Sequence, residues 1–273
     1  MKKVLFATVV ILLLAAFGVS AFMVGNYLLD GKKQANRYDE LSNIAANVQP
    51  EKTETVDATE ETTEPAESTE PTEPTEPGML PGYKEIYEMN NHTVGWIKME
   101  GTQMDYPVMQ SPEDPNFYLN RNFDKADSSR GSIYAWGAAN VNEPSDNITL
   151  FGHNMADGSM FACLNAYTNK TAWDNNSLIF FDTLNEYHTY KIFAVFATSA
   201  NIGEGFSYHQ FVDAETEAEF NDFVSTCKKL AFYDTGITPV YGDKMICLST
   251  CTYSLNGRQH DNARLVVAAV RIT

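Results

Sequence analysis

Three Thr-Glu-Pro triplets in a row, at 69–71, 72–74 and 75–77, set the first limit on how this chain can fold. Proline every third residue removes amide donors that a helix or sheet needs, and the intervening glutamates repel one another. The whole stretch 50–81 is rich in Thr, Glu and Pro and is expected to be an extended, disordered spacer whose role is reach. Packed structure must therefore lie on either side of it. The same stretch explains the charge. The formal net charge is -17, and residues 51–77 hold about half of that excess. The remainder is moderately acidic and has no basic stripe, which argues against a nucleic-acid partner.

Ahead of the spacer, Lys2 and Lys3 precede residues 4–29, a run without a charged side chain. Such a run is long enough to cross an apolar layer of about 30 Å as a helix, and longer than the apolar core of a cleaved leader. Apolar character continues past Ala21 through Phe22, Met23, Val24, Leu28 and Leu29. Residues 1–30 are thus expected to be an uncleaved, single-pass signal anchor in the cell membrane. Basic residues flank the run on both sides, so the charge bias does not fix its orientation. The spacer points to an extracellular domain. Residues 31–49 form a juxtamembrane segment that either continues the helix or makes a short one of its own.

Residues 82–273 carry a globular pattern. Residues 83–89 suit a short helix. Eight stretches rich in β-branched and aromatic residues follow, at 95–99, 104–109, 131–136, 147–152, 178–182, 190–198, 245–250 and 264–272. That pattern predicts a mostly β fold, a closed barrel of about eight strands with peripheral helices. One helix is explicit. Phe220, Phe223, Val224, Cys227 and Leu230 recur at helical spacing, Lys228 and Lys229 fall in its last turn, and it starts at either Asp213 or Thr216.

Four cysteines are present, Cys163, Cys227, Cys247 and Cys251. Their spacing fits no zinc motif and is too sparse for a disulfide framework, so no metal or other cofactor is expected. Cys227 lies on the helix's apolar face and is expected to be structural. Cys247, Ser249 and Cys251 alternate on one face of a strand, and Cys251 stands at its end, where a side chain can emerge into a cleft. A thiol acting as a nucleophile needs a neighbouring base or a stabilised thiolate. His153 ends another apolar strand, after a glycine that permits close approach. Arg264 opens the last strand, where a guanidinium can hold a carbonyl or an oxyanion. Each feature alone has a plain structural explanation. His260 is a rival base, Arg258 a rival cation in a turn, and His92, His188 and His209 are expected to be structural.

Taken in order, Thr149-Leu150-Phe151-Gly152-His153-Asn154-Met155, Leu248-Ser249-Thr250-Cys251-Thr252-Tyr253 and Asp261-Asn262-Ala263-Arg264-Leu265-Val266-Val267 resemble the three active-site motifs of sortases, most closely class B. The stretches 94–99, 101–110 and 159–161 resemble class B as well, so the likeness covers roughly residues 83–273. It implies a cysteine transpeptidase that cuts a C-terminal sorting motif of secreted proteins and passes the acyl group to an amine of the peptidoglycan precursor or cross-bridge, or of a pilin subunit. Cys251 would be the nucleophile, His153 the acid and base, and Arg264 the oxyanion partner. Ser249, Thr250 and Leu119 would contact the peptide. Two departures stand out. The interval 252–263 between Cys251 and Arg264 is long and reads as a loop. Ala135 and Trp136 follow Tyr134, where the family often has an acidic residue. A cysteine hydrolase of cell-wall peptides and a non-enzymatic surface module are the alternatives.

Overall fold

The computed structural model describes residues 2–46, 78–255 and 257–273. The eight strands foreseen from alternation are present: β1 (Thr93–Lys98), β2 (Asp105–Met109), β3 (Ile133–Ala135), β4 (Asn147–Phe151), β5 (Leu178–Thr183), β6 (Thr189–Ser199), β7 (Met245–Leu255) and β8 (Arg258–Arg271). They close into a barrel in the order β1-β2-β3-β4-β7-β8-β6-β5, with β1 pairing β5 to seal the ring. Two neighbours, β2–β3 and β4–β7, are parallel, and the rest are antiparallel.

Both faces of β7 and β8 are buried, which is why 264–270 reads as an unbroken apolar run rather than an alternating one. Ile246, Leu248, Leu265, Val267 and Ala269 fill the barrel interior. Met245, Cys247, Val266, Ala268 and Val270 face outward, under a second cluster supplied by α4 (Glu217–Leu230) through Phe220, Phe223, Val224 and Cys227. Of the two starts allowed by sequence, Thr216 caps this helix, its hydroxyl accepting from the Glu219 amide at 3.3 Å. Asp213 is used otherwise, accepting from the Asp146 amide and from the Ser145 hydroxyl.

Two features depart from the sequence-based picture. First, residues 252–263 are not an open loop. β7 and β8 continue past the barrel as a hairpin, turning at Gly257 in the left-handed region (φ 74°) and pairing Leu255 with Arg258. This hairpin accounts for the long Cys–Arg interval.

Second, α1 (Lys2–Ala46) is one helix that runs on beyond the apolar stretch and docks on the barrel. Gln34, Tyr38, Leu41 and Ala45, spaced by four, three and four, are buried along one stripe. The docking is reinforced by Ser42 donating to Asp105 at 2.8 Å and by Arg37 paired with Asp124. α2 (Pro81–Met89) then packs on the end of α1: a Cβ on Gly82 would sit 2.9 Å from the Ile44 carbonyl oxygen. Of the spacer expected at 50–81, residues 50–77 lie outside the described residues. The described residues on either side of it, Ile44 and Gly82, lie against each other.

Candidate active site

β4 and β7 run in parallel and in register, with Phe151 opposite Ser249. Two residues beyond that rung stand His153 after β4 and Cys251 on β7, so parallel pairing alone brings them to the same level. The pairing continues past the strand end. The Gly152 amide donates to the Ser249 carbonyl at 3.1 Å, the Thr250 hydroxyl to the Gly152 carbonyl at 2.7 Å, and Asn154 Nδ2 to the Cys251 carbonyl at 2.9 Å. Asn165 Nδ2 donates in turn to Asn154 Oδ1, which fixes that amide's orientation. Gly152 is required for this approach, since a Cβ there would meet the Phe161 ring at 2.8 Å. On the other side of β7, Cys251 is the direct cross-strand partner of Arg264 on β8. Cross-strand partners have Cβ atoms about 5 Å apart and project from the same face.

These residues open onto one groove of about 550 Å³, lined among others by Leu119, His153, Ser249, Thr250, Cys251 and Arg264. All six residues singled out from sequence thus border the same space. The rivals do not. Arg258 sits exposed at the hairpin turn, and His260 Nε2 leans 3.8 Å from Glu204, away from the lining of the groove.

His153 Nε2–H donates to the Leu119 carbonyl at 2.8 Å. A carbonyl oxygen only accepts, so this bond assigns the proton to Nε2 and leaves Nδ1 as the nitrogen that can exchange one. The bond persists whether the ring is neutral or charged. Leu119 therefore contributes its carbonyl to the histidine as well as its side chain to the groove wall. Ser249 is almost fully buried and hydrogen-bonded to the Tyr208 hydroxyl at 2.6 Å, so it forms the floor of the groove.

Sequence reasoning missed the opposite wall. Residues 200–210 follow β6 and bring Ile202, Phe206, Tyr208 and His209 to the groove, facing Tyr134, Trp136 and Phe151. His209, expected to be merely structural, packs edge-on against Trp136 at 5.2 Å and borders the groove. Trp136 stands where an acidic residue was looked for, so this wall is aromatic. Burial pushes the Tyr134 hydroxyl up to about 12 despite the opposing pull of Arg264, and burial likewise pushes Tyr208 up to about 12 against its bond with Ser249. Both phenols are therefore neutral at physiological pH. The signal for this wall was present in sequence as an unusual density of aromatic residues, Phe206, Tyr208, His209 and Phe211, in a segment with no strand or helix period.

A family model described as a sortase domain matches residues 97–272. Sortase B of Listeria monocytogenes is 30% identical over 191 residues, covering 70% of this chain and 74% of that protein. Among solved structures, a sortase B from B. anthracis in complex with AAEK1 superposes with a TM-score of 0.69 at 27% identity, over 90% of this chain and 99% of the other. A Staphylococcus aureus sortase B–substrate complex superposes with a TM-score of 0.64 at 25% identity, over 71% and 86% respectively.

Proposed function

Because this chain belongs to the sortase family of cysteine transpeptidases and is similar to class B, we propose that it cuts a C-terminal sorting motif in secreted proteins and joins them to an amine of the cell wall, or of a pilin subunit. In this reading the Cys251 thiolate attacks the carbonyl carbon of the motif's scissile peptide bond, and Arg264 holds the oxyanion that forms. His153 gives a proton to the leaving amine as the thioester forms. It later takes a proton from the incoming amine, whose nitrogen displaces the thiolate and completes a new amide. Throughout, the Nε2–H bond to Leu119 holds the ring while Nδ1 carries the proton. The peptide lies between the aromatic wall and the β7 floor, in contact with Leu119, Ser249 and Thr250. The apolar part of α1 anchors the enzyme in the cell membrane as a single pass, with the catalytic domain outside.

The observation that carries this proposal is the cross-strand pairing of Cys251 with Arg264 beside the parallel rung that sets His153. It is tested by screening sorting-peptide libraries with and without triglycine as the amine. Amine-dependent ligation supports transfer, whereas cleavage indifferent to amine points to hydrolysis. Cys251→Ala should abolish turnover, and His153→Ala and Arg264→Ala should each lower it by on the order of 10²-fold. A crippled Arg258→Ala beside a healthy Arg264→Ala would refute the arginine assignment.

A further inference from the structure

Away from the groove, a second cavity of about 350 Å³ lies between α1 and the barrel, bordered by Gly31, Gln34, Tyr38, Arg130, Asp157 and Ser159 among others. Among its lining residues Arg130 is only 4% exposed. A guanidinium that deep is costly unless its donors are engaged. Arg130 Nη1 donates to Asp157 Oδ2 and to the Ser159 hydroxyl, the guanidinium lies 5.0 Å from the centre of the Tyr27 ring on α1, and Nε is buried without a hydrogen-bond partner. Gly31 leaves the space it occupies, because a Cβ there would overlap the guanidinium.

The residues this arginine clasps are those that follow His153. The segment 153–161 is a small closed loop. The Phe161 amide donates to the His153 carbonyl at 2.9 Å, Asn154 and Met160 form a bridge, and Met160 is held at a φ of 58° that a non-glycine residue adopts only under constraint. Asp157 ties the loop's outer end, accepting from both the amide and the hydroxyl of Ser159.

A second path runs from α1 to the same imidazole. Gln34 donates to the Gly131 carbonyl at 2.6 Å and accepts from the Ser128 hydroxyl at 2.8 Å. Gly131, at φ 56°, packs so closely on Leu119 that a Cβ would overlap the carbonyl oxygen receiving His153 Nε2–H. The backbone of His153 and the hydrogen bond that orients its ring thus both lead back to residues 130 and 131, and from there to α1.

We propose that Arg130 is a positioning residue for His153, and that the docked part of α1, by seating Arg130 and Gly131, completes the catalytic site. The inference rests on the role given to His153 above. Displacing a reacting group by about 1 Å can cost on the order of 10²-fold in rate, so a loosened loop should act on turnover rather than on peptide affinity.

The test uses the full chain in detergent micelles, labelled with ¹⁵N-histidine, and the peptide selected in the screen with triglycine as amine. Arg130→Met is expected to lower kcat about tenfold or more while KM stays within about twofold. It should also move the His153 Nε2–H resonance away from its single-tautomer position, with Arg130→Lys recovering part of both. Gly31→Val pushes on the guanidinium without removing it. It should reproduce the effect, and it carries the test if Arg130→Met does not fold. Unchanged kcat and an unmoved His153 resonance in Gly31→Val and the folded Arg130 variants overturn the inference. His153→Ala separates the two levels. An active His153→Ala removes the site assignment and this inference together, whereas an inactive one beside a normal Arg130→Met removes the inference alone.

Discussion

Asp182 offers a quantitative check on the fold that is independent of catalysis. It is 6% exposed, accepts from the Tyr83 hydroxyl at 2.6 Å and from the His188 amide at 3.1 Å, and so ties α2 to the β5 end of the barrel. Burial raises its carboxyl to about 6 from an ordinary 3.8, and the two hydrogen bonds offset only part of that rise. The folded state therefore holds this proton more tightly than the unfolded chain does. Stability should be unaffected by this group below about pH 4, fall as pH rises towards 6, and level off above about 7. A gap of roughly two units corresponds to about 3 kcal/mol. Asp182→Asn keeps both bonds, its carbonyl accepting from His188 and its amide donating to Tyr83, but carries no charge. The difference in unfolding free energy between variant and wild type should thus grow by about 3 kcal/mol in the variant's favour between pH 4 and 7. Urea denaturation at half-unit pH steps measures it. A difference that stays flat across that window, or a wild type that gains on the variant as pH rises, would refute the argument.

Three further outcomes are expected. In the folded protein a thiol reagent should label Cys251 alone at a useful rate, because Cys227 and Cys247 are buried and burial pushes the Cys163 thiol up to about 11; mass spectrometry of Cys251→Ala should show that label lost. Tyr208→Phe leaves the buried Ser249 hydroxyl without its partner and should cost about 1–2 kcal/mol in urea denaturation. Replacing residues 47–77 with a six-residue Gly/Ser linker closes a shorter loop between touching helices. It should raise the stability of the docked α1 by about 1 kcal/mol and leave peptide turnover unchanged; lost turnover would contradict the close packing of α2 on the end of α1.

What could be foreseen from sequence follows from burial. Strands with one or two buried faces announce themselves through Ile, Val and Phe, and the barrel was legible on that basis. So was the meeting of His153 and Cys251 on one groove, since both stand where apolar runs stop. The β7–β8 extension carries Thr252, Ser254, Gln259 and Asp261, with little apolar side chain to mark a period. Backbone pairing alone makes it a ladder, and pairing leaves no trace in hydropathy. The docked stripe of α1 was hidden for a related reason. Two of its four buried positions, Gln34 and Tyr38, engage through hydrogen bonds to Gly131, Ser128 and Ser132. The partners lie nearly a hundred residues away, so only the fold reveals them. The groove's aromatic wall, between β6 and α4, is irregular backbone apart from one short 3-10 turn at Tyr208–Gln210, too short to show a period.

The unbroken course of α1 has one more consequence. A helix has no swivel, so whatever grips its apolar end also sets the bearing of the barrel, as a keel sets the heading of a hull. From Leu29, the last residue of the uncharged run, to Gln34, the first buried anchor point, the helix climbs only about 8 Å. With that run seated in lipid, the docked stripe that begins at Gln34 would hold the barrel close to the membrane surface at a fixed tilt.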